Sequence, residues 1–137
     1  MTQATETKPI YLWKSLKKGI KSGHDNSQWK IGKWRKAKSA EACESGFHAS
    51  ESVIHAMGYI DAEVIAKVEV RGQSDKREDK QAWTEMCIVE AYKWEKEDSV
   101  RLAIYAAELV IGIYEKRYPN DDRPRKAIEA AKDWLKN

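Results

Sequence analysis

The sequence predicts an α+β fold, a mostly antiparallel sheet with one short helix followed by a C-terminal two-helix hairpin, and three observations carry that prediction. Residues 63–70 alternate strictly, with Val64, Ala66, Val68 and Val70 on one side and Glu63, Ile65, Lys67 and Glu69 on the other, the period of a strand. Residues 83–94 form a second long strand carrying Met86, Ile88 and Ala91, and the two pair as an antiparallel hairpin. At Trp94 the apolar period changes from two to 3.6 and stays helical afterwards.

The elements follow in order. Residues 1–8 are polar and without period, so they read as a frayed tail before Pro9. An apolar strand covers 10–13, and 19–27 is a loop of Gly, His, Asp, Asn and Ser. Residues 28–34 alternate as a second strand, with Trp29 and Ile31 on one side and Gly32 marking a turn or bulge. A connector over 40–45 leads to Gly46-Phe47-His48-Ala49-Ser50. There Ser50 is the expected N-cap of a short helix with Val53, Ile54 and Met57 on one face and Gly58 at its end. Residues 71–81 read as a charged loop containing Gly72.

Asp98 or Ser99 caps the first C-terminal helix, which runs to about Arg117 and is apolar almost all round, the pattern of a helix buried on most sides. Residues 118–125 stop it, turn the chain and start a last helix, whose Ala127, Ile128, Ala131, Trp134 and Leu135 face inward. The expected organisation is one domain over 9–137, with sheet over 9–95 and helical hairpin over 97–136; a chain of 137 residues supports one sizeable core.

Six Trp and six Tyr against one Phe make the aromatics amphipathic, suited to half-wet surfaces. The net charge of +3 is too small to imply nucleic-acid binding, but residues 1–40 hold ten Lys/Arg against Glu6 and Asp25 only, a basic surface suited to phosphate-bearing ligands or simply to solvation. Two widely spaced cysteines, Cys43 and Cys87, make no disulfide framework, and no apolar run is long enough to span a bilayer. A cytoplasmic protein without membrane association is expected.

Three groups of residues are candidates for function. Arg123 and Arg125 open the last helix, where two cations repel the positive end of the helix dipole unless an anion is near. That anion is either the adjacent Asp121 and Asp122 or the phosphate of a ligand forked by the guanidinium groups. Phe47 and His48 sit at a strand-to-helix turn that offers backbone donors and a ring for stacking, or else they are a core Phe beside a hydrogen-bonded His. Glu108, an acid inside an apolar helix, must reach solvent, a cation or a pocket. No catalytic nucleophile or phosphate loop is recognisable, and Cys43, His48, His55 and Cys87 match no metal-ligand spacing, so neither catalysis nor a metal or cofactor is expected.

The stretches Lys30-Ile-Gly-Lys-Trp34, Cys43-Glu-Ser-Gly-Phe-His-Ala49, Val68-Glu-Val-Arg-Gly72 and Tyr118-Pro-Asn-Asp-Asp-Arg-Pro-Arg-Lys-Ala-Ile-Glu-Ala-Ala131 resemble small phage, prophage and mobile-element proteins. In that group the C-terminal helical module is similar to an immunity-protein domain. The layout of sheet then two helices also resembles the phage Thoeris anti-defence proteins, oligomeric sponges that sequester cyclic ADP-ribose isomers in pockets lined by arginines and an aromatic. The resemblance implies a phage-encoded, non-enzymatic protein that captures a nucleotide-derived immune signal. Arg123 or Arg125 would then bind phosphate, and one of Phe47, Trp83 and Trp94 would stack on the base. A homodimer or higher oligomer is expected, its interface helping to make the pocket. The alternatives are a small enzyme of ADP-ribosyl transfer using Glu90, or an antagonist that binds nucleic acid or protein through Lys33, Arg35 and Lys36.

Overall fold

The computed structural model describes residues 8–58 and 61–137. The expected tail over 1–8 therefore lies, but for Lys8, outside the described residues. The chain divides at Lys93/Trp94 into two compact units, Met1–Lys93 and Trp94–Asn137.

The first unit is a five-stranded antiparallel sheet with one short helix. Its strands are β1 (Ile10–Leu16), β2 (Trp34–Lys36), β3 (Phe47–Ala49), β4 (Val64–Lys76) and β5 (Gln81–Lys93), and helix α1 (Val53–Met57) follows β3. The order is β1-β4-β5-β2, with β3 pairing β5 beyond β2. Every pairing is antiparallel. The inward faces of β1, β4 and β5 meet in one core, with Leu12, Leu16, Val64, Ala66, Val68, Val70, Met86 and Ile88 buried and Trp29 covering them.

Several sequence expectations shift here, each for a local reason. β4 and β5 continue through the expected 71–81 loop to a tight turn at residues 77–80, because the ladder absorbs the disruptive stretch as a bulge between Arg71 and Ser74, where Gly72 has a φ of +91°. Residues 29–33 are not strand: a turn at Ile31 and Gly32, the glycine at φ +83°, reverses the chain, so Trp29 is buried while Ile31 is half exposed instead of sharing its side. α1 is capped by Ser52, whose side chain accepts from the His55 N–H, and not by Ser50; Ser50 is buried and exchanges backbone hydrogen bonds with Trp13 at 2.8 Å. Ala56 is the buried residue of that helix, and Ile54 faces out.

The second unit is the helical hairpin, α2 (Lys96–Arg117) and α3 (Arg123–Lys136). α2 is capped by Glu95, three residues before Asp98 and four before Ser99: Asp98 accepts a hydrogen bond from the Glu95 N–H at 2.9 Å, and the Trp94 indole donates to Ser99 Oγ at 2.7 Å. Ile104 and Ile111 pack on Ile128 of α3, with Val100, Ala107, Ala131 and Leu135 around them. The expectation of a helix buried on most sides is corrected, since Tyr105, Leu109, Val110 and Ile113 are exposed. No helix among the described residues is long and apolar enough to cross a membrane.

Candidate functional site

A cleft of about 460 Å³ opens in the first unit, between β1, the 22–27 loop, Arg35 of β2, the 43–50 segment and Lys80 of the β4–β5 turn. Its floor follows from the pleat of β1. Leu12 and Leu16 point into the core, so Lys14, between them with the same period, points inward too. Its Nζ donates to the His48 carbonyl at 2.7 Å. Loss of surrounding water, reinforced by the nearby charge of Arg35, pushes the Lys14 pKa down to about 8, with Asp25 acting in the opposite direction.

The indole of Trp29 holds two cations. The Arg35 guanidinium lies 4.3 Å from its ring centroid and the Lys14 ammonium 5.8 Å. Phe47 meets Trp29 edge-on at 5.2 Å and is also 5.2 Å from Arg35, so one guanidinium sits against two aromatic rings. Arg35 donates to Ser27 Oγ at 3.1 Å, and among the described residues no carboxylate lies within ion-pair distance of it. The aromatic faces orient this cation without neutralising it.

The wall opposite is the 40–48 segment. Gly46, at φ +80°, brings its backbone so close to residues 39, 40 and 83 that a Cβ would lie 3.0 Å from three of their backbone atoms. Cys43 also adopts a positive φ, 68°, which aims its N–H at His48 Nε2, 2.8 Å away. Since Nε2 accepts that bond, the proton of the neutral ring belongs on Nδ1. Burial, with the charges of Lys14 and Lys80, lowers the His48 pKa, so the ring is neutral at pH 7. Lys80 Nζ touches the exposed Cys43 thiol, and Asp75 ties the segment to β4 by accepting from the Ala42 N–H at 2.8 Å. Asp25, held by the Ser27 N–H at 3.0 Å, and Glu44 supply acceptors at the edge.

Of the residues singled out from sequence, Phe47 and His48 line this cleft, and so do Arg35 and Cys43 from the alternatives weighed there. Trp83, Trp94, Glu108, Arg123 and Arg125 are not among its lining residues. Trp83 is buried in the sheet core, its indole donating to Gln81 at 2.9 Å. Trp94, Glu108, Arg123 and Arg125 all belong to the second unit. Glu108 pairs with Lys132 at 3.2 Å. Arg123 forks Asp121 through two 2.8 Å bonds, which hold that carboxyl far below the usual carboxylate range, helped by the Tyr114 hydroxyl. Arg125 likewise forks Glu115 across to α2, with Nε at 3.1 Å, and lowers its pKa. Of the two anions weighed from sequence for this helix start, the one present is internal carboxylate, contributed by Asp121 and Glu115. The groove between α2 and α3 is lined by apolar side chains, and neither arginine lines it.

Sequence reasoning missed Lys14, Trp29 and Lys80. The signal for Lys14 was present: a lysine at the inward position between two leucines, legible once the strand is extended to Leu16. Among the described residues no group of three or more His, Cys, Asp or Glu is placed to hold a metal. Cys87, one member of the weighed metal set, is buried in β5.

Fold and cleft together define a small α+β protein that concentrates cations on an aromatic platform. Residues 10–98, well over half of the chain, match the profile of a domain of unknown function, DUF7666, and the chain belongs to that family. Residues 92–137, which contain the helical hairpin, are similar to the family described as Imm-5 like putative immunity protein. Neither the curated proteins nor the solved structures contain a match.

Proposed function

We propose that this chain is a defence-associated binding protein of phage or bacterial origin that captures a small, phosphate-bearing, nucleotide-derived ligand in the Lys14–Arg35–His48 cleft and releases it unchanged. The observation that carries this reading is the convergence of Lys14, Arg35 and Lys80 on a cleft of about 460 Å³, inside the size range of small-molecule sites. Lys14 is held at its position by a carbonyl and Arg35 by aromatic rings and a hydroxyl, so both keep their charge for an incoming oxyanion. Phosphate oxygens take the cations, Phe47 offers its ring to a base, and Asp25 and Glu44 accept from sugar hydroxyls. The defence side rests on the similarity of residues 92–137 to immunity proteins, and the signal-capture side on the resemblance to the Thoeris anti-defence proteins.

Arg123 and Arg125 are left out of this reading because each is already forked by a carboxylate. Capture needs preorganised contacts and no chemistry, and the aromatic clamp on Arg35 lowers the ordering cost of binding.

The test is calorimetric titration with cyclic ADP-ribose, ADP-ribose, AMP and inorganic phosphate, followed by heating and mass spectrometry of the released molecule. Binding of at least one phosphate-bearing nucleotide, recovered intact and lost in Arg35→Ala and Lys14→Met, is the expected result. Binding that survives both substitutions, or no binding by any of the four, overturns it.

A further inference from the structure

Helix α2 carries two apolar stripes at heptad-like spacing on opposite sides. One, built on Val100, Ile104, Ala107 and Ile111, packs on α3. The other runs along Leu102, Tyr105, Leu109 and Ile113, with Tyr105, Leu109 and Ile113 exposed by 64%, 65% and 74%. In a single protomer this second stripe leaves large apolar side chains in water over three turns, the signature of an interaction surface.

We propose that a second copy of the same chain covers this stripe, with the two α2 helices antiparallel about a two-fold axis between Tyr105 and Leu109. Charge and shape select this occupant and this direction. The stripe begins at Asp98, in the acidic first turn with Glu97, and ends at Lys116, in the basic last turn with Arg117. Antiparallel pairing sets Asp98 of each helix against Lys116 of the other, twice by symmetry, whereas parallel pairing sets like charge against like. Among the described residues no carboxylate of its own chain pairs Lys116, and Asp98 meets Arg101 of its own helix at 3.5 Å.

The same register places Leu102 opposite Gly112 and Tyr105 opposite Leu109. Gly112 is a mid-helix glycine, which costs helix stability, and a Cβ built on it meets nothing within 4 Å. An open notch facing a leucine on the partner is knob-into-hole packing, and the symmetric axis makes two such contacts. The surface is self-complementary, as a two-fold interface requires.

Sedimentation equilibrium of the full chain tests this. The wild type is expected to dimerise in the micromolar range. Leu109→Asp, at an exposed position, and Gly112→Leu, which fills the notch while improving helix propensity, are each expected to weaken the dimer by about tenfold or more. Both variants should keep the wild-type circular dichroism spectrum, and Gly112→Leu should melt no lower than the wild-type monomer. A wild type that stays monomeric through the micromolar range, or a dimer that tolerates both substitutions, overturns the proposal.

Discussion

The cleft of the first unit and the arginine pair at the start of α3 present the same chemistry, fixed cations, in opposite states. Arg123 and Arg125 are charge-balanced by Asp121 and Glu115 through geometry that matches two oxygens to two N–H groups. Arg35 is oriented by Trp29, Phe47 and a serine hydroxyl, none of which takes its charge away, and Asp25 acts on it from beyond ion-pair distance. What a cation can do for a ligand depends on what already orients it: a carboxylate leaves little attraction to offer, whereas a ring face leaves most of it.

The substitution expected to separate the two regions most is Arg35→Ala, which should lower affinity for a phosphate-bearing nucleotide by about a hundredfold, as loss of a charge-assisted anchor does. Arg123→Ala and Arg125→Ala should leave that affinity within about twofold of the wild type. Calorimetry on the three variants reads both limbs, and equal losses in all three would erase the contrast.

Next in size is the effect of Gly46→Ala. It combines a positive φ with backbone atoms 3.0 Å from the new Cβ, and should cost roughly 1–3 kcal/mol in denaturant melts while deforming the cleft wall.

A pH series sharpens the comparison further. Lys14 has a pKa lowered to about 8, so its charge is present below that value and lost as pH rises through it. Affinity for an oxyanion should therefore fall above about pH 8, and Lys14→Met should remove that dependence. The stability sign is the reverse: between about pH 8 and the ordinary lysine value the unfolded chain binds more protons than the folded one, so this group makes the fold more stable as pH rises. Ion pairs at the start of α3 contribute no titration in that window, because arginine stays charged and the carboxyls are held low.

The smallest effect is kinetic. Cys43 is exposed at the cleft and Cys87 is buried, so a thiol reagent should modify Cys43 alone in the folded protein, and a bound nucleotide should slow that reaction severalfold. An unchanged rate at saturating nucleotide would place the ligand elsewhere.

The fold class was legible because the long elements announce themselves. Val64, Ala66, Val68 and Val70 alternate over a span where no other period fits, and the change at Trp94 lies one residue beyond the last strand residue, Lys93. What escaped was decided by long-range pairing. Three-residue strands such as Phe47–Ala49 have too few positions to show a period and exist only because β5 offers an edge. The charged run after Val70 looks like loop, yet its backbone finds partners in β5, and cross-strand hydrogen bonds outweigh local composition. Within the site, Phe47 and His48 were legible from the glycine and serine around them. Lys14, Arg35 and Lys80 meet only in three dimensions, and no spacing along the chain encodes that. The arginines at 123 and 125 drew attention through a local electrostatic conflict that Glu115, ten residues before Arg125, resolves across the hairpin.

The passage from Lys93 to Lys96 joins β5 to α2 in two residues, and bonds among Trp94, Glu95, Asp98 and Ser99 secure the start of that helix. This junction carries its own initiation signal, and both family profiles overlap on it at residues 92–98. The Glu95–Asp98 bond that opens α2 therefore lies inside both matched stretches.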